Sequence, residues 1–283
     1  MSLRVDAILC GLIAGLIAPW ASAAPVGQPL AVIPLAPYLQ AQTSLRATVA
    51  GVEGSFLFDT GEGLSTISPA FAAKIGCRPW GRVSGFRMSG ERLDNPHCDN
   101  LTFDIAGRRL SAPAVTTVDI MKFIGPDAPA VDGALGLDLF AGKQITIIPR
   151  KEIILESPAS FSKRVAAARE IPIRLVRDVE GLALAVDGAV RTPLGLAWME
   201  LDSGNGGSLV VANHIAPLIG LKTDISTPEP MRLTLADGIV VEGNGRTRDL
   251  IMDGNIGAQF LNHWNLTLDL KAGRAWLSPA AGP

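Results

Sequence analysis

The chain repeats itself, and this repetition limits the folds open to it more than any other feature of the sequence. Four blocks occur twice, in the same order, along the 283 residues. The paired blocks are 45–51 with 182–188, 56–61 with 199–204, 131–136 with 252–257, and 144–148 with 265–270. A duplicated series of this kind predicts two similar lobes, related by a pseudo-two-fold axis, within one chain.

The repeated blocks are short, alternate between apolar and polar residues, and are separated by Gly and Pro. This two-residue period is typical of β-strands, and the Gly and Pro residues indicate turns. We therefore predict an all-β fold with short helices, built from two β-barrel-like lobes. The N-terminal lobe is expected over residues 24–156, a linker over 157–170, and the C-terminal lobe over 171–283.

The charge balance excludes one class of partner. The chain has 25 Lys and Arg against 27 Asp and Glu, a formal net charge of −2. Without a basic excess there is no basis for counter-ion release, so no nucleic acid is expected to bind. The histidines His97, His214 and His263 are scattered and form no His-Glu-x-x-His motif. We therefore expect neither a metal site nor a cofactor.

The N-terminus resembles an export signal. Arg4 precedes an uncharged apolar run over residues 7–18, and Ala21-Ser22-Ala23 follows a break at Pro19. This pattern predicts a signal peptide over residues 1–23 and a periplasmic or secreted protein. The alternative is an uncleaved anchor, although the run is short for a membrane span. After cleavage, no stable insertion in a membrane is expected.

Removal of this signal leaves two cysteines, Cys77 and Cys98. Disulfides persist in export compartments, so we predict that these two residues pair. Two buried free thiols are the alternative. A metal site made of Cys77, His97 and Cys98 is disfavoured because it has too few ligands.

The chemistry of the repeat lies in two aspartates, Asp59 and Asp202, each followed by Thr or Ser and then Gly. Either one alone could simply close a turn. At equivalent places in two lobes they can meet across the pseudo-two-fold axis, and two touching carboxyls share a proton. One member is then a general base and the other a general acid. We expect hydroxyls at 60 and 203 to join the loops, and the glycine N–H groups of Gly61 and Gly204 to bind the carboxylates.

The triplets Asp59-Thr60-Gly61 and Asp202-Ser203-Gly204, each followed by an apolar-x-Gly block, resemble those of retropepsin-type aspartic proteases. Their presence in one chain is similar to the two-lobed pepsins. The resemblance implies an acid-protease fold, a catalytic water and a β-hairpin flap over a cleft. The flap candidate is the segment 84–90, with Gly85, Phe86 and Gly90.

Two positions depart from the pattern of these proteases. A small residue usually follows the triplet, whereas here Glu62 and Asn205 follow it. We expect both residues to line the substrate cleft, where Glu62 could repel charge on the dyad or bind a basic group. The predicted function is a monomeric aspartic endopeptidase acting on polypeptide. The alternative is a catalytically weak or inactive peptide-binding protein that kept the fold.

Overall fold

The structure, a computed structural model, describes residues 27–281. The predicted signal, residues 1–23, lies outside this range. The strands of the described chain are β1 (Ala31–Pro34), β2 (Ala36–Tyr38), β3 (Gln42–Val49), β4 (Val52–Phe58), β5 (Thr66–Ile67), β6 (Trp80–Phe86), β7 (Arg92–Ile105), β8 (Arg108–Thr117), β9 (Gly133–Leu135), β10 (Gln144–Ile148), β11 (Glu152–Leu155), β12 (Arg169–Ile171), β13 (Ile173–Val176), β14 (Ala185–Thr192), β15 (Gly195–Asp202), β16 (Leu209–Ala212), β17 (Glu229–Thr234), β18 (Val240–Arg248), β19 (Gly254–Gly257), β20 (Trp264–Asp269) and β21 (Arg274–Pro279).

The helices are short. The α-helices are α1 (Pro69–Lys74), α2 (Met121–Ile124), α3 (Pro158–Ala166) and α4 (Ala258–Leu261), and 3-10 turns cover Leu137–Phe140, Val179–Gly181 and Ala216–Ile219. Within residues 27–281, no helix has both the length and the apolar character needed to cross a membrane.

The strands form three sheets. The first lobe has an eight-stranded sheet of order β2-β3-β4-β9-β5-β8-β7-β6, and the second a seven-stranded sheet of order β13-β14-β15-β19-β16-β18-β17. The third sheet, β1-β11-β10-β20-β21-β12, takes strands from both lobes. The prediction of a two-lobed, mainly β fold is confirmed.

The pseudo-two-fold axis passes through the shared sheet. β10 and β20 are equivalent strands of the two repeats, and they pair antiparallel with Thr146 opposite Thr267. The two buried hydroxyls lie 3.0 Å apart. Equivalent residues therefore meet where the two halves of the chain join, and the same axis relates the β4–β9 pair to the β15–β19 pair.

The predicted linker, residues 157–170, contains α3, capped by Ser157, and most of β12, which pairs with β21. The two repeats also differ at one glycine, since Gly51 lies in a turn and its counterpart Gly188 does not. Gly188 lies inside β14, and the turn falls at Pro193–Leu194.

The core of the first lobe is rich in aromatic side chains. Phe56 packs edge-to-face on Phe71 and Phe103, with ring centroids 5.2 and 5.9 Å away, and Phe58 packs on Phe140 at 6.3 Å. Burial of each ring contributes about 2–3 kcal/mol. Since Phe56 and Phe58 belong to β4, this packing fixes the end of the strand from which Asp59 projects.

The extra segment of the first lobe is the β6–β7 hairpin. A disulfide joins Cys77, just before β6, to Cys98 within β7, with Cα atoms 6.2 Å apart. Cys98 is buried against the first-lobe core. The disulfide therefore ties the base of the hairpin to the lobe while the far end projects.

Candidate active site

The two aspartates emerge from equivalent strand ends. Asp59 follows β4, and its N–H donates to the carbonyl of Leu135 at 3.0 Å. Asp202 ends β15 beside Gly257 of the parallel strand β19. In each lobe the apolar strand is buried up to the acid, and the chain then turns at Gly. Both carboxyls are therefore held at the ends of buried strands and directed toward the other lobe.

Reciprocal hydrogen bonds lock the two loops together. The N–H of Thr60 donates to Oγ of Ser203 at 3.0 Å, and the N–H of Ser203 donates to Oγ1 of Thr60 at 2.9 Å. The Thr60 hydroxyl donates to the carbonyl of Leu201 at 2.5 Å, and the Ser203 hydroxyl to that of Phe58 at 3.2 Å. These four bonds cross between the lobes and place the triplets in register, as the sequence predicts.

The carboxyls of Asp59 and Asp202 are neighbours, and each lies against the glycine of the other lobe's triplet. Gly61 and Gly204 allow this approach, since a Cβ on Gly61 would lie 2.7 Å from Cγ of Asp202 and a Cβ on Gly204 would overlap the carboxyl of Asp59. Each glycine N–H also donates to the acid of its own triplet, at 2.8 and 2.7 Å. The structure thus brings the predicted pair together.

The environment of Asp59 favours its neutral form. Burial raises the pKa of Asp59 well above its usual value, and the neighbouring carboxyls of Asp202 and Glu62 raise it further. The N–H of Gly61 acts in the opposite direction but is the smallest influence. A pair with one proton between two carboxyls can both accept and donate a proton, as general acid–base catalysis requires.

No protein-family model and no curated protein matches the chain. Many solved structures are similar to it, and two of them each match 90% of its length. One is basic 7S globulin from soybean, with a TM-score of 0.59, 11% identity and 95% of that chain covered. The other is conglutin gamma, a basic 7S globulin from lupine seeds, with a TM-score of 0.54, 10% identity and 96% covered. This chain has their two-lobe β fold.

The comparisons contradict the family relationship that the triplets predict. The predicted relationship to retropepsin-type proteases is wrong, because these two similar structures are basic 7S globulins. Two tripeptides within a β repeat identify an architecture, and one architecture serves proteins of different function. Identities of 10–11% show this architecture alone.

Glu62 and Asn205 are both half-buried, directly after the triplet of their own lobe. Thr66 lies near Glu62 and acts to lower its pKa, and Asn205 donates from Nδ2 to Oδ1 of Asn255 at 2.7 Å. Asn205 Oδ1 accepts from the N–H of Gly207 at 2.9 Å. These contacts stabilise the loops that follow the triplets, and the expectation that the two residues line a substrate cleft stays a prediction. Burial raises the pKa of Glu62 to about 8, which keeps it neutral below that pH.

A second pair of equivalent residues lies deeper in each lobe. In the first, buried Asp138 accepts from the hydroxyl of Ser65 at 2.7 Å and from its N–H at 3.0 Å. In the second, Ser208 contacts Gln259 at 2.8 Å in the same position. Burial raises the pKa of Asp138 to about 6, although both bonds from Ser65 oppose the rise.

Sequence reasoning missed two residues behind Asp202. Asn255 is fully buried, and its Nδ2 donates to Oδ2 of Asp202 at 2.6 Å and to Oε2 of Glu200 at 3.1 Å. In the first lobe the equivalent positions hold Leu57 and Ala134, which are likewise opposite each other. An alignment of the two repeats would have shown these polar residues at core positions.

The predicted flap is a β-hairpin. Gly85 and Phe86 end β6, and Gly90 lies in the turn at φ +82°, a left-handed conformation that favours glycine. The tip reaches the second lobe, where the carbonyl of Met88 accepts from the N–H of Ile251 at 3.0 Å. Phe86 is 62% exposed. The hairpin therefore spans from one lobe to the other at its tip.

Proposed function

We propose that the protein is an aspartic endopeptidase that binds extended polypeptide between its lobes. The main observation behind this proposal is that hydrogen bonds join the two triplets and hold the carboxyls of Asp59 and Asp202 side by side. Burial and contact between two acids make a doubly charged state unfavourable, so one proton is retained by the pair. Two carboxyls that share one proton are the catalytic groups of aspartic proteases in general.

The chemistry follows from this single proton. The ionised carboxyl takes a proton from a water molecule, and the water oxygen bonds to the peptide carbonyl carbon. The protonated carboxyl gives its proton to the carbonyl oxygen, which forms a tetrahedral diol. When the C–N bond breaks, the amine receives the first proton and one diol hydroxyl returns the second to the dyad. No covalent enzyme intermediate forms, and the dyad regains its starting state.

The flap hairpin supplies a surface for the polypeptide. Its backbone can hydrogen-bond an extended chain as a neighbouring strand would. Because the tip is bonded to Ile251 of the second lobe, the Met88–Ile251 bond has to open for a chain to enter. Both halves of the dyad belong to one chain, so a monomer is sufficient for this activity.

The test is hydrolysis of denatured casein by the full-length protein between pH 3 and pH 8, with and without a statine-type inhibitor. We expect inhibitor-sensitive cleavage that is lost in both Asp59→Asn and Asp202→Asn. Asp132→Asn is the matched control, since the carboxyl of Asp132 accepts a structural bond from the N–H of Ser55 at 3.0 Å. Undiminished cleavage in either dyad variant would exclude the proposed mechanism.

The second candidate is a polypeptide-binding protein without hydrolysis. The likeness to seed globulins favours this candidate over the peptidase. The crowding of Glu62 and Glu200 near the dyad also favours it, since more than two acids surround the site. Retention of labelled casein by the wild-type protein, with no new peptides at any pH, would establish this candidate instead.

The proposal also includes the cellular compartment in which the protein acts. We place the protein outside the cytoplasm because residues 1–23 have the pattern of an export signal and because Cys77 and Cys98 form a disulfide. N-terminal sequencing of the protein from the periplasm or medium should begin at Ala24. Recovery only in the cytoplasm, starting at Met1, would contradict it.

A further inference from the structure

Hydrogen-bond donors converge on only one of the two carboxyls. Asp202 accepts from the N–H groups of Gly204 and Asn205, at 2.7 and 2.9 Å, and from Nδ2 of Asn255 at 2.6 Å. Asp59 accepts from the N–H of Gly61 alone within its own lobe. Donors stabilise a carboxylate more than a neutral carboxyl, so negative charge is favoured on Asp202.

The neighbours of Asn255 fix the direction of its amide. Its Oδ1 accepts from Nδ2 of Asn205, which leaves the Nδ2 of Asn255 to face the two acids Asp202 and Glu200. A side chain with no exposed surface in a parallel pair of strands has little freedom to turn. The amide therefore presents its donor to Asp202 in a fixed orientation.

Several other ionisable groups surround the amide of Asn255, and Glu200 accepts a longer bond from it, 3.1 Å against 2.6 Å for Asp202. Burial raises the pKa of Glu200 well above its usual value, and the nearby carboxyls of Asp202 and Asp187 add to the rise. Asp187 lies opposite Glu200 on β14 and pairs with Arg174 at 2.8 Å. From the first lobe, Asp59 and Glu62 face the same region.

We propose that Asn255 is a positioning residue that holds the negative charge of the dyad on Asp202 and leaves the shared proton on Asp59. This inference rests on the proposed function, because it assigns the two chemical roles within the pair. Asp202 is then the base toward water, and Asp59 is the acid toward the peptide carbonyl. Asn255 is fully buried, so it acts on the reaction through Asp202 and not by contact with the substrate.

The test is the titration of ¹³C-labelled aspartate carboxyls by NMR in the full-length protein, with the two signals assigned from Asp59→Asn and Asp202→Asn. As the pH rises, the Asp202 signal should reach its ionised position before the Asp59 signal. In Asn255→Ala the two signals should move together or in the reverse order. The acid limb of the kcat/KM profile on casein should rise by about one pH unit, the size of one charged hydrogen bond.

Two further variants complete the experiment. Asn265→Ala is the matched control, since Asn265 bonds Ser278 at 3.2 Å in the shared sheet and should leave both titrations unchanged. Asn255→Asp keeps the shape of the side chain, should Asn255→Ala fail to fold, and its protonated form can still donate to Asp202. At low pH this variant should behave as the wild-type protein. Once the new carboxyl at position 255 ionises, Asp202 should no longer ionise before Asp59.

The outcomes separate this inference from the proposed function. An unchanged order of titration in Asn255→Ala, or an equal change in Asn265→Ala, would overturn the role of Asn255. If the protein hydrolyses no casein but Asp202 still ionises first and depends on Asn255, the proposed function fails and the charge assignment stands.

Discussion

The two halves of the site share a backbone and differ in the chemistry that surrounds it. Where the first lobe has the acids Glu62 and Asp138, the second has the amides Asn205 and Gln259. Where the first lobe has apolar Leu57 and Ala134, the second has Glu200 and Asn255. Near-identical loops therefore place their acids in unlike electrostatic surroundings.

This difference shows how a symmetric scaffold makes an asymmetric pair. Neighbouring acids disfavour a second negative charge, whereas amide donors favour one. The geometry that joins the lobes depends on the triplets, which are almost the same in both. The division of roles depends on the residues behind them, which are not.

Replacement of each aspartate by asparagine should produce the largest effect and the clearest contrast. Both variants should lose hydrolysis by about 10³-fold or more, because neither leaves a base and an acid together. Their stabilities should differ. Asp59→Asn resembles the protonated acid and should unfold at the same urea concentration as the wild type. Asp202→Asn loses charge-assisted bonds and should cost about 1.5–3 kcal/mol. Equal unfolding midpoints would contradict the contrast between the lobes.

The disulfide is the next largest difference, since within the described residues only the first lobe has one. Its cysteines are 21 residues apart in sequence. Replacement of both Cys77 and Cys98 by Ser should lower the free energy of unfolding by about 3 kcal/mol, mainly by freeing the unfolded chain. Urea unfolding with tryptophan fluorescence measures this loss. A loss well below about 1 kcal/mol would show that the hairpin base is held by packing alone.

The two hydroxyls that join the lobes should contribute unequally to the free energy of unfolding. Thr60 is 2% exposed and Ser203 is half-buried. Thr60→Val should cost about 2 kcal/mol, because the N–H of Ser203 and the carbonyl of Leu201 are left unpaired. Ser203→Ala should cost about 1 kcal/mol. Thermal unfolding of the two variants tests the order, and a reversed order would show that exposure does not set the cost.

The smallest effect should depend on pH and should come from Glu62 in the first lobe, because this side chain is only half-buried and water screens much of its charge. Because folding raises the pKa of Glu62 from 4.5 to about 8, the folded state holds this proton more tightly than the unfolded state. Stability is then unaffected by Glu62 below about pH 4.5 and falls as the pH rises toward 8. Glu62→Gln should melt with the wild type at pH 4 and a few degrees above it at pH 8.

Asp138→Asn is the partner variant for this comparison. Folding raises the pKa of Asp138 from 3.8 to about 6. The stability of the protein should therefore fall as the pH rises from 3.8 to about 6, and Asp138→Asn should remove this fall. Both substitutions make the first lobe more like the second. Identical melting curves for Glu62→Gln and the wild type at every pH would mean that folding does not raise the pKa of Glu62.

The sequence was sufficient for the parts of the fold that repeat. The residue period and the paired triplets predict the two lobes, the meeting of Asp59 with Asp202 and the flap hairpin. The shared six-stranded sheet was missed because strand partners far apart in sequence leave no local signal. The helix α3 was missed because Pro, Ala and Ser residues also suit a linker.

The sequence was less informative about the support of the site. Glu62 and Asn205 follow the triplets directly, which predicts cleft positions, but no signal in the sequence shows the bond from Asn205 to Asn255. Asn255 was interpreted only as part of a Gly block. Its importance depends on a contact 53 residues away in sequence, across two parallel strands. Such contacts become visible only when the strands are paired.

Neutron diffraction from a deuterated crystal near pH 5 would locate the shared proton of the dyad. We expect hydrogen-bonded carboxyls on Asp59 and Asp202, with one deuterium bound to Asp59 and none to Asp202. Carboxyls that lie apart, or a deuterium on Asp202 with none on Asp59, would show that the dyad is not built as described.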